Sequence, residues 1–449
     1  MDHSGGQPIF DAIADLRQNL ATLDRDIDDA ARIDLLTELE ELKSCCAAAQ
    51  AKTTADLDES RRRERAQRGV PADQQGRGIG MEVALARRDS THKGSRHLGM
   101  ARALVHEMPH TLRLLERGLL SEWRATILVC ETACLTREDR MAIDAELCAD
   151  PGTVEGLGDR RLRAKARELA ARYDAEAMVK RARKAEGDRC VTTRAAPDTM
   201  AYLTALLPVK QAVCIYATLD RDAKAIRAAG DNRGHGQIMA DLLTERVTGI
   251  ASANAVPVSV NLIVSDEVLF ADGTEPGYVP GYGPIPAGLA RHWAKDAAAD
   301  SRAELRKVYA TPKTGTLTAM ESKSRCFPTA LARLIDTRDR VCRTPWCDAP
   351  IRHRDHITAY ESGGATTADN GAGLCEACNY AEQGEGFDAK PEPTPPGEPH
   401  VYTLTTPTGH QYRSVAPPLP RPLEQINIVG VVERHLAGLF YDITYEDAA

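Results

Sequence analysis

Aromatic residues make up only 4% of this 449-residue chain. Strands favour aromatic and β-branched side chains, so the scarcity argues against a mainly β architecture and favours helices. Long apolar runs are missing too, which excludes a membrane-spanning helix by length alone. The first residues, MDHSGGQPIFDAIADL, carry acids where a secretory leader needs Lys or Arg. The expected location is therefore the cytoplasm, where thiols stay reduced and the 12 cysteines are free or metal-bound. A surplus of positive charge is also lacking. The formal net charge is -8, so any contact with nucleic acid must be made by local patches. What is present is ordinary for globular domains: 43% hydrophobic and 27% charged residues, at a length that suits two to three domains.

Apolar residues recur at helical spacing through Ile9, Ile13, Leu16 and Leu20, and again through Leu35, Leu36, Leu39 and Leu42, which predicts long helices over residues 8–68. The run Arg61, Arg62, Arg63, Arg65 and Arg68 reads first as a solvated helix face, with a nucleic-acid patch as the minority reading. Gly76, Gly78 and Gly80 break the pattern, and helices resume near Glu82 and continue to about Ala185. Within them, Glu82–Ala86 and His97–Leu104 suggest a helix-turn-helix. Strands are expected at Cys190–Thr193 and Val258–Val264, and helices at Thr199–Ala228, Gln237–Val247 and Ala287–Asp296. Gly277–Pro286 is dense in Gly and Pro and reads as loop. Lys390–Pro399 reads as an extended strap, Val401–Tyr412 as a hairpin turning at Thr408-Gly409, and Glu424–Leu439 as a short helix. The predicted fold is mainly α with α+β parts. It comprises a helical domain at 1–185, a mixed α/β continuation with short strands at 186–330, a small zinc-stabilised domain at 331–390, and a Pro-rich strap with a hairpin and helix at 391–449.

Cys342 and Cys347 form C-x4-C, and Cys375 and Cys378 form C-x2-C after 27 intervening residues. Two knuckles at this separation predict a structural Zn²⁺ site, closed to substrate because thiolates fill all four positions. Cys130 and Cys134 share a helix face beside Ile127, Leu128 and Val129 and read as core packing. Between the knuckles lie groups suited to metal-assisted hydrolysis. His356 is a candidate base that titrates near neutrality, and Asp355 and Asn379 are oxygen donors suited to Mg²⁺ or Mn²⁺. Arg340, Arg343, Arg352 and Arg354 are candidate phosphate contacts.

The succession Cys-x4-Cys, Asp355-His356-Ile357, Gly363-Gly364, Asp369-Asn370, Leu374-Cys375 and Cys378-Asn379 resembles the HNH endonuclease motif. The resemblance implies a ββα-metal fold gripping one divalent ion. It also implies His356 as general base, Asp355 as metal ligand and Asn370 as the catalytic-motif residue that ties the hairpin loop. Asn379, a second metal ligand, stands where the motif's last His falls, an HNN variant. Asp355 and His356 are neighbours, and neighbours on a regular strand face opposite ways, so both serve one site only if the strand bends or ends there. The remaining stretches, among them RRRERAQRGVPADQQGRGIGMEVALARR, GDNRGHGQIMADLLTERV and SRCFPTALARLIDTRDRVCRTPWC, resemble the actinobacterial 13E12-repeat family, in which a helical domain of unknown function precedes an HNH domain. The implied function is metal-dependent DNA endonuclease, with a homodimer or DNA binding through the N-terminal helices. The alternatives are a zinc-stabilised DNA-binding module without catalysis and a protein-interaction module.

Overall fold

Side-chain spacing that alternates between 3.6 and 2 residues sets the order of elements. The computed structural model describes residues 7–249, 262–271, 273–280, 282–299, 321–322, 327–395 and 398–419. The order is α1 (Gln7–Ala21), α2 (Asp29–Gln67), α3 (Ile79–Arg87), α4 (Thr91–Glu107), α5 (Pro109–Glu116), α6 (Glu122–Glu131), α7 (Arg137–Cys148), α8 (Asp159–Tyr173), α9 (Ala175–Ala185), β1 (Cys190–Ala195), β2 (Ala201–Leu206), α10 (Val209–Ala228), α11 (His235–Thr248) and α12 (Asp266–Phe270). Then come β3 (Gly277–Val279), β4 (Gly283–Ile285), α13 (Ala287–Ala299), β5 (Glu321–Ser322), α14 (Thr329–Asp339), β6 (His353–His356), β7 (Thr366–Thr367), β8 (Gly371–Leu374), α15 (Glu376–Glu382), β9 (Asp388–Pro391), β10 (Val401–Thr405) and β11 (Gln411–Val415). The chain is thus mainly helical with small antiparallel sheets. No helix among the described residues is long and apolar enough to cross a membrane.

The contacts divide the chain into two compact units, residues 1–64 with 97–179 and residues 65–96 with 180–449. The first is helical. Its core joins the alanine stripe Ala47, Ala48, Ala51 and Ala55 of α2 to Leu104, Leu115, Leu128, Ile143 and Leu162. The small side chains let neighbouring helices approach closely. Asp144 of α7 is buried and accepts hydrogen bonds from the backbone N–H of His110 and Thr111, so it caps the first turn of α5. Cys130 is exposed and Cys134 only part-buried against Met178, so this pair lies at the rim of the core and not inside it as the spacing suggested.

The second unit gathers residues 65–96 with the C-terminal half, so the helical stretch at 1–185 is shared between units. The basic run is partly exposed, at Arg63 and Arg68, and largely ion-paired. Arg61 pairs with Glu64, Arg62 with Asp58, Arg63 with Glu59 and Arg68 with Glu385. Arg65 is buried and donates to the carbonyls of Gln75 and Arg77. Residues Ile79–Leu85 are all buried. Met81 and Leu85 enter one core with Ile357, Ala372, Tyr402 and Leu404, so α3 packs under the C-terminal strands. Behind it α3 and α4 cross where Gly80 meets Gly94; a Cβ on Gly94 would stand 2.1 Å from the Gly80 carbonyl oxygen. The suggested helix-turn-helix is therefore a corner whose first helix is buried through Leu85.

Two segments differ from expectation. Thr199–Ala228 begins as a strand, because Asp198 and Thr199 both take positive φ and turn the chain back, pairing Cys190 with Leu206 through Ala195 with Ala201; α10 starts only after Pro208. Gly277–Pro286 is a short hairpin, β3 with β4, and not a loop. The strap starts as a strand, since Lys390 and Pro391 belong to β9, the third strand of the sheet ordered β11-β10-β9. The hairpin turns at Gly409, with φ +82°. Of the segment Val258–Val264, residues 262–264 are described and Ile263 bridges to Tyr278; the rest, and Glu424–Leu439, lie outside the described residues.

Candidate metal centre and active site

The four cysteines of the two knuckles are buried and their sulfurs lie within 4.8 Å of one another. Cys347 and Cys375 are 3.6 Å apart, and Cys347 and Cys378 3.5 Å apart. A tetrahedron of thiolates at about 2.3 Å from zinc has edges of about 3.8 Å, so the cage is the size of the ion. The backbone explains the convergence. Trp346 and Asp348 flank Cys347 with positive φ, turning the first knuckle back so that the Cys342 N–H donates to the Ala349 carbonyl. Cys375 is the N-cap of α15, and its sulfur accepts the N–H of Cys378. Hydrogen bonds from Cys342, Cys347 and Cys378 hold the Cys375 thiol far below its ordinary range. A four-cysteine cluster of this kind suits a structural metal such as zinc.

Between the knuckles the chain forms two strands, and a helix follows that carries Cys378. β6 and β8 are antiparallel, pairing His353 with Leu374 and His356 with Gly371. β8 can lie flush because it carries glycines; a Cβ on Gly373 would stand 2.4 Å from Ile351 Cδ1. α15 packs on β6. Asn370 closes the intervening loop. Its Oδ1 accepts from the Thr358 N–H at 2.9 Å, and its Nδ2 donates to the carbonyls of Thr358 at 3.0 Å and Ala365 at 2.9 Å.

Asp355 and His356 occupy the last two positions of β6 and leave it on opposite faces. Asp355 shares its face with His353, whose ring lies 5.8 Å from that of Tyr380 on α15. Its Oδ1 also accepts the His356 N–H at 2.8 Å. His356 lies on the other face with Phe327 at 4.6 Å and Tyr360 at 5.5 Å between ring centroids, and its Nε2 is 2.8 Å from Thr366 Oγ1. The structure therefore brings Asp355 to the α15 side and His356 to the α14 side, with the strand ending between them and the loop. Asn379 is buried on α15, and its Oδ1 makes no hydrogen bond among the described residues. Glu382, one turn further on, escaped the sequence reading. Burial, then the charges of Cys342 and Asp355, push its carboxyl up to about 8. No local pattern marked it, because a glutamate late in a helix is usually solvated.

The four arginines part ways. Arg343 is buried with all its donors used, by Ser414 Oγ, Asp339, His400 Nδ1 and the carbonyls of His400 and Ser414. It is a structural tie and holds nothing in reserve for a phosphate. Arg340 donates to the Pro418 carbonyl and lies 4.5 Å from the Tyr278 ring centre. Arg354 is paired with Asp336, which raises its pKa. Arg352 is exposed and makes no ion pair among the described residues.

The residues that organise this unit are Arg338, Asp339 and His400, which the sequence reading passed over. Asp339 is fully buried and accepts from Arg338, Arg343 and the Gly373 N–H. His400 Nδ1 faces the Arg343 guanidinium and its Nε2 lies 2.8 Å from the Asp369 carbonyl, which fixes the neutral tautomer with the proton on Nε2. Burial first, then the charge of Arg338, lowers His400 to about 4. An unfolded histidine titrates near 6.5. The unfolded chain thus takes up this proton first as pH falls, and stability present above pH 6.5 is lost between 6.5 and 4. The expected loss is about 3 kcal/mol, and His400→Gln should flatten that part of a pH series of urea unfolding curves.

The family described as domain of unknown function DUF222 matches residues 34–339, and the HNH endonuclease family matches residues 341–385. No curated protein and no solved structure matches the chain. The first match covers more than half of the 449 residues, and the second brackets the four cysteines and the β6-β8-α15 arrangement. The chain belongs to the DUF222 family, and its DUF222 region is followed by an HNH endonuclease domain.

Proposed function

We propose that the protein is a metal-dependent DNA endonuclease of the HNN type. The observation that carries the catalytic reading is the buried Asn379 Oδ1, left without a hydrogen bond on the helix that packs against the strand of Asp355. A buried polar atom without a partner is costly, and a cation would satisfy it. Asp355 and Asn379 are the ligands in this reading, and Mg²⁺ or Mn²⁺ is the ion that suits their oxygens. The ion supplies charge stabilisation at the scissile phosphate when bound.

In this reading the phosphate bridges the end of β6. The ion side is formed by Asp355 and Asn379, and the other side by His356, the general base that takes the proton of the attacking water. Thr366 and Phe327 keep the imidazole in place. Asn370 acts through the loop it ties, as a positioning residue. Arg352 is the candidate phosphate contact that keeps its guanidinium exposed. The four thiolates suit a reducing compartment, and the cytoplasm is the location in this reading.

The test is nicking of supercoiled plasmid by the full chain with Mg²⁺ or Mn²⁺. His356→Ala is expected to slow nicking at least about a hundredfold, the usual effect of losing a general base. Equal nicking by both proteins rejects the assignment. Plasmid bound without nicking by the wild type favours the binding module instead.

A further inference from the structure

Among the groups that the endonuclease reading leaves unused, one touches a metal ligand. Thr91 opens α4, within the DUF222 match, and is buried. Its Oγ1 lies 3.1 Å from the Sγ of Cys378, a residue 287 positions later in the chain. It makes no other hydrogen bond among the described residues. Cys378 is completely buried. Ser90 Oγ accepts the Lys93 N–H, so the first turn of α4 is held by its neighbour and not by Thr91. The corner that presents Thr91 is fixed independently by the close Gly80–Gly94 crossing and by Met81 and Leu85 in the core.

A thiolate bound to a metal has no proton to give, so the hydroxyl must be the donor in this contact. We propose that Thr91 is a positioning residue of the metal centre: its hydroxyl donates to the Cys378 thiolate and locks the second knuckle from the DUF222 side. The inference rests on the reading of the four cysteines as a zinc site. Its consequence reaches the nuclease motif, because Cys378 and Asn379 are adjacent on α15. Anything that fixes the sulfur fixes the turn that carries the amide. The DUF222 corner then supplies the hydroxyl that holds a metal-ligating sulfur of the following domain. Such outer-shell partners typically change metal affinity 10- to 100-fold.

The experiment uses the full chain and reads zinc release to an excess of a chromophoric chelator, with zinc content measured first. Thr91→Val keeps the shape and removes the hydroxyl; Thr91→Ser keeps the hydroxyl. Release from Thr91→Val is expected to be about tenfold faster than from wild type, and release from Thr91→Ser within about twofold of it. Thr91→Ala replaces the valine variant should that one not fold, with the same expectation. In Co²⁺-loaded protein the thiolate-to-metal absorption band should shift for the variant without a hydroxyl and not for serine. Release from Thr91→Val at the wild-type rate, or from Thr91→Ser as fast as from Thr91→Val, overturns the proposal while leaving the zinc site standing. A wild type without zinc overturns the four-cysteine reading, and the proposal with it.

Discussion

Replacing Cys375 and Cys378 together by serine is expected to take the zinc content of the full chain from about one per molecule to none and to unfold the knuckle region. The core there consists of Cys342, Cys347, Leu374, Cys375 and Cys378, with Ala349 packed against it. Without the thiolates only one sizeable aliphatic side chain remains, too little to offset the ordering entropy of the knuckles. Metal binding must supply the difference, and structural zinc sites contribute on the order of 10 kcal/mol. The loss should stay within its own unit. Residues 97–179 belong to a separate unit with a core of their own, from Leu104 to Ala170. Limited proteolysis should therefore degrade the C-terminal half and spare a helical fragment. Cys190 is exposed and outside the cage, so Cys190→Ser is the control and should change neither zinc content nor proteolysis. Full zinc occupancy in the double variant would remove the basis for a metal-built domain.

The contrast between those two regions also explains how much could be read in advance. Four cysteines in two short pairs announce themselves because a metal knuckle is a local device, written within six residues. The turn at Gly409 is equally local, since one glycine with positive φ fixes the hairpin. The burial of Arg343 is not local. Its partners, Ser414 and His400, lie about sixty to seventy residues away, and an arginine in a basic stretch looks the same whether it meets a phosphate or a buried carboxylate. The placement of α3 under the C-terminal strands was hidden for the same reason. Its apolar residues do not name the strands that cover them. β2 was hidden by local ambiguity, since Ala201–Leu206 reads as well in a helix as in a strand, and the two positive φ values before it decided the outcome.

In the candidate-site region the sequence places the three residues on neighbouring elements but does not give their arrangement. Asp355, His356 and Asn379 all lie on the β6-β8-α15 arrangement. Only adjacency on a strand, however, could tell that Asp355 and His356 would part to opposite faces. The strand ends at His356.

Asp339→Ala is expected to destabilise the C-terminal unit by about 3–5 kcal/mol, the usual cost of leaving buried charges unpaired. Burial alone would push the Asp339 carboxyl up, but Arg338, Arg343 and the Gly373 N–H outweigh it and hold it below its ordinary range. Removing the carboxylate strands two guanidiniums, both nearly without solvent contact. The measurement is urea unfolding in a Trp123→Phe background, which leaves Trp293 and Trp346 to report on the unit that carries Asp339. Replacing an ion cluster by apolar residues of similar volume is often neutral where the charges serve only one another. Here they also serve the backbone. Arg338 donates to the carbonyls of Ala368 and Gly371, Arg343 to those of His400 and Ser414, and Asp339 accepts from Gly373. A triple variant, Arg338→Met with Asp339→Leu and Arg343→Met, should therefore be no more stable than Asp339→Ala, because it removes five side-chain hydrogen bonds to buried backbone groups at once. Recovery of wild-type stability by the triple variant would mean that the cluster is a pairing of charges and not the brace that ties α14, β8 and the C-terminal sheet together.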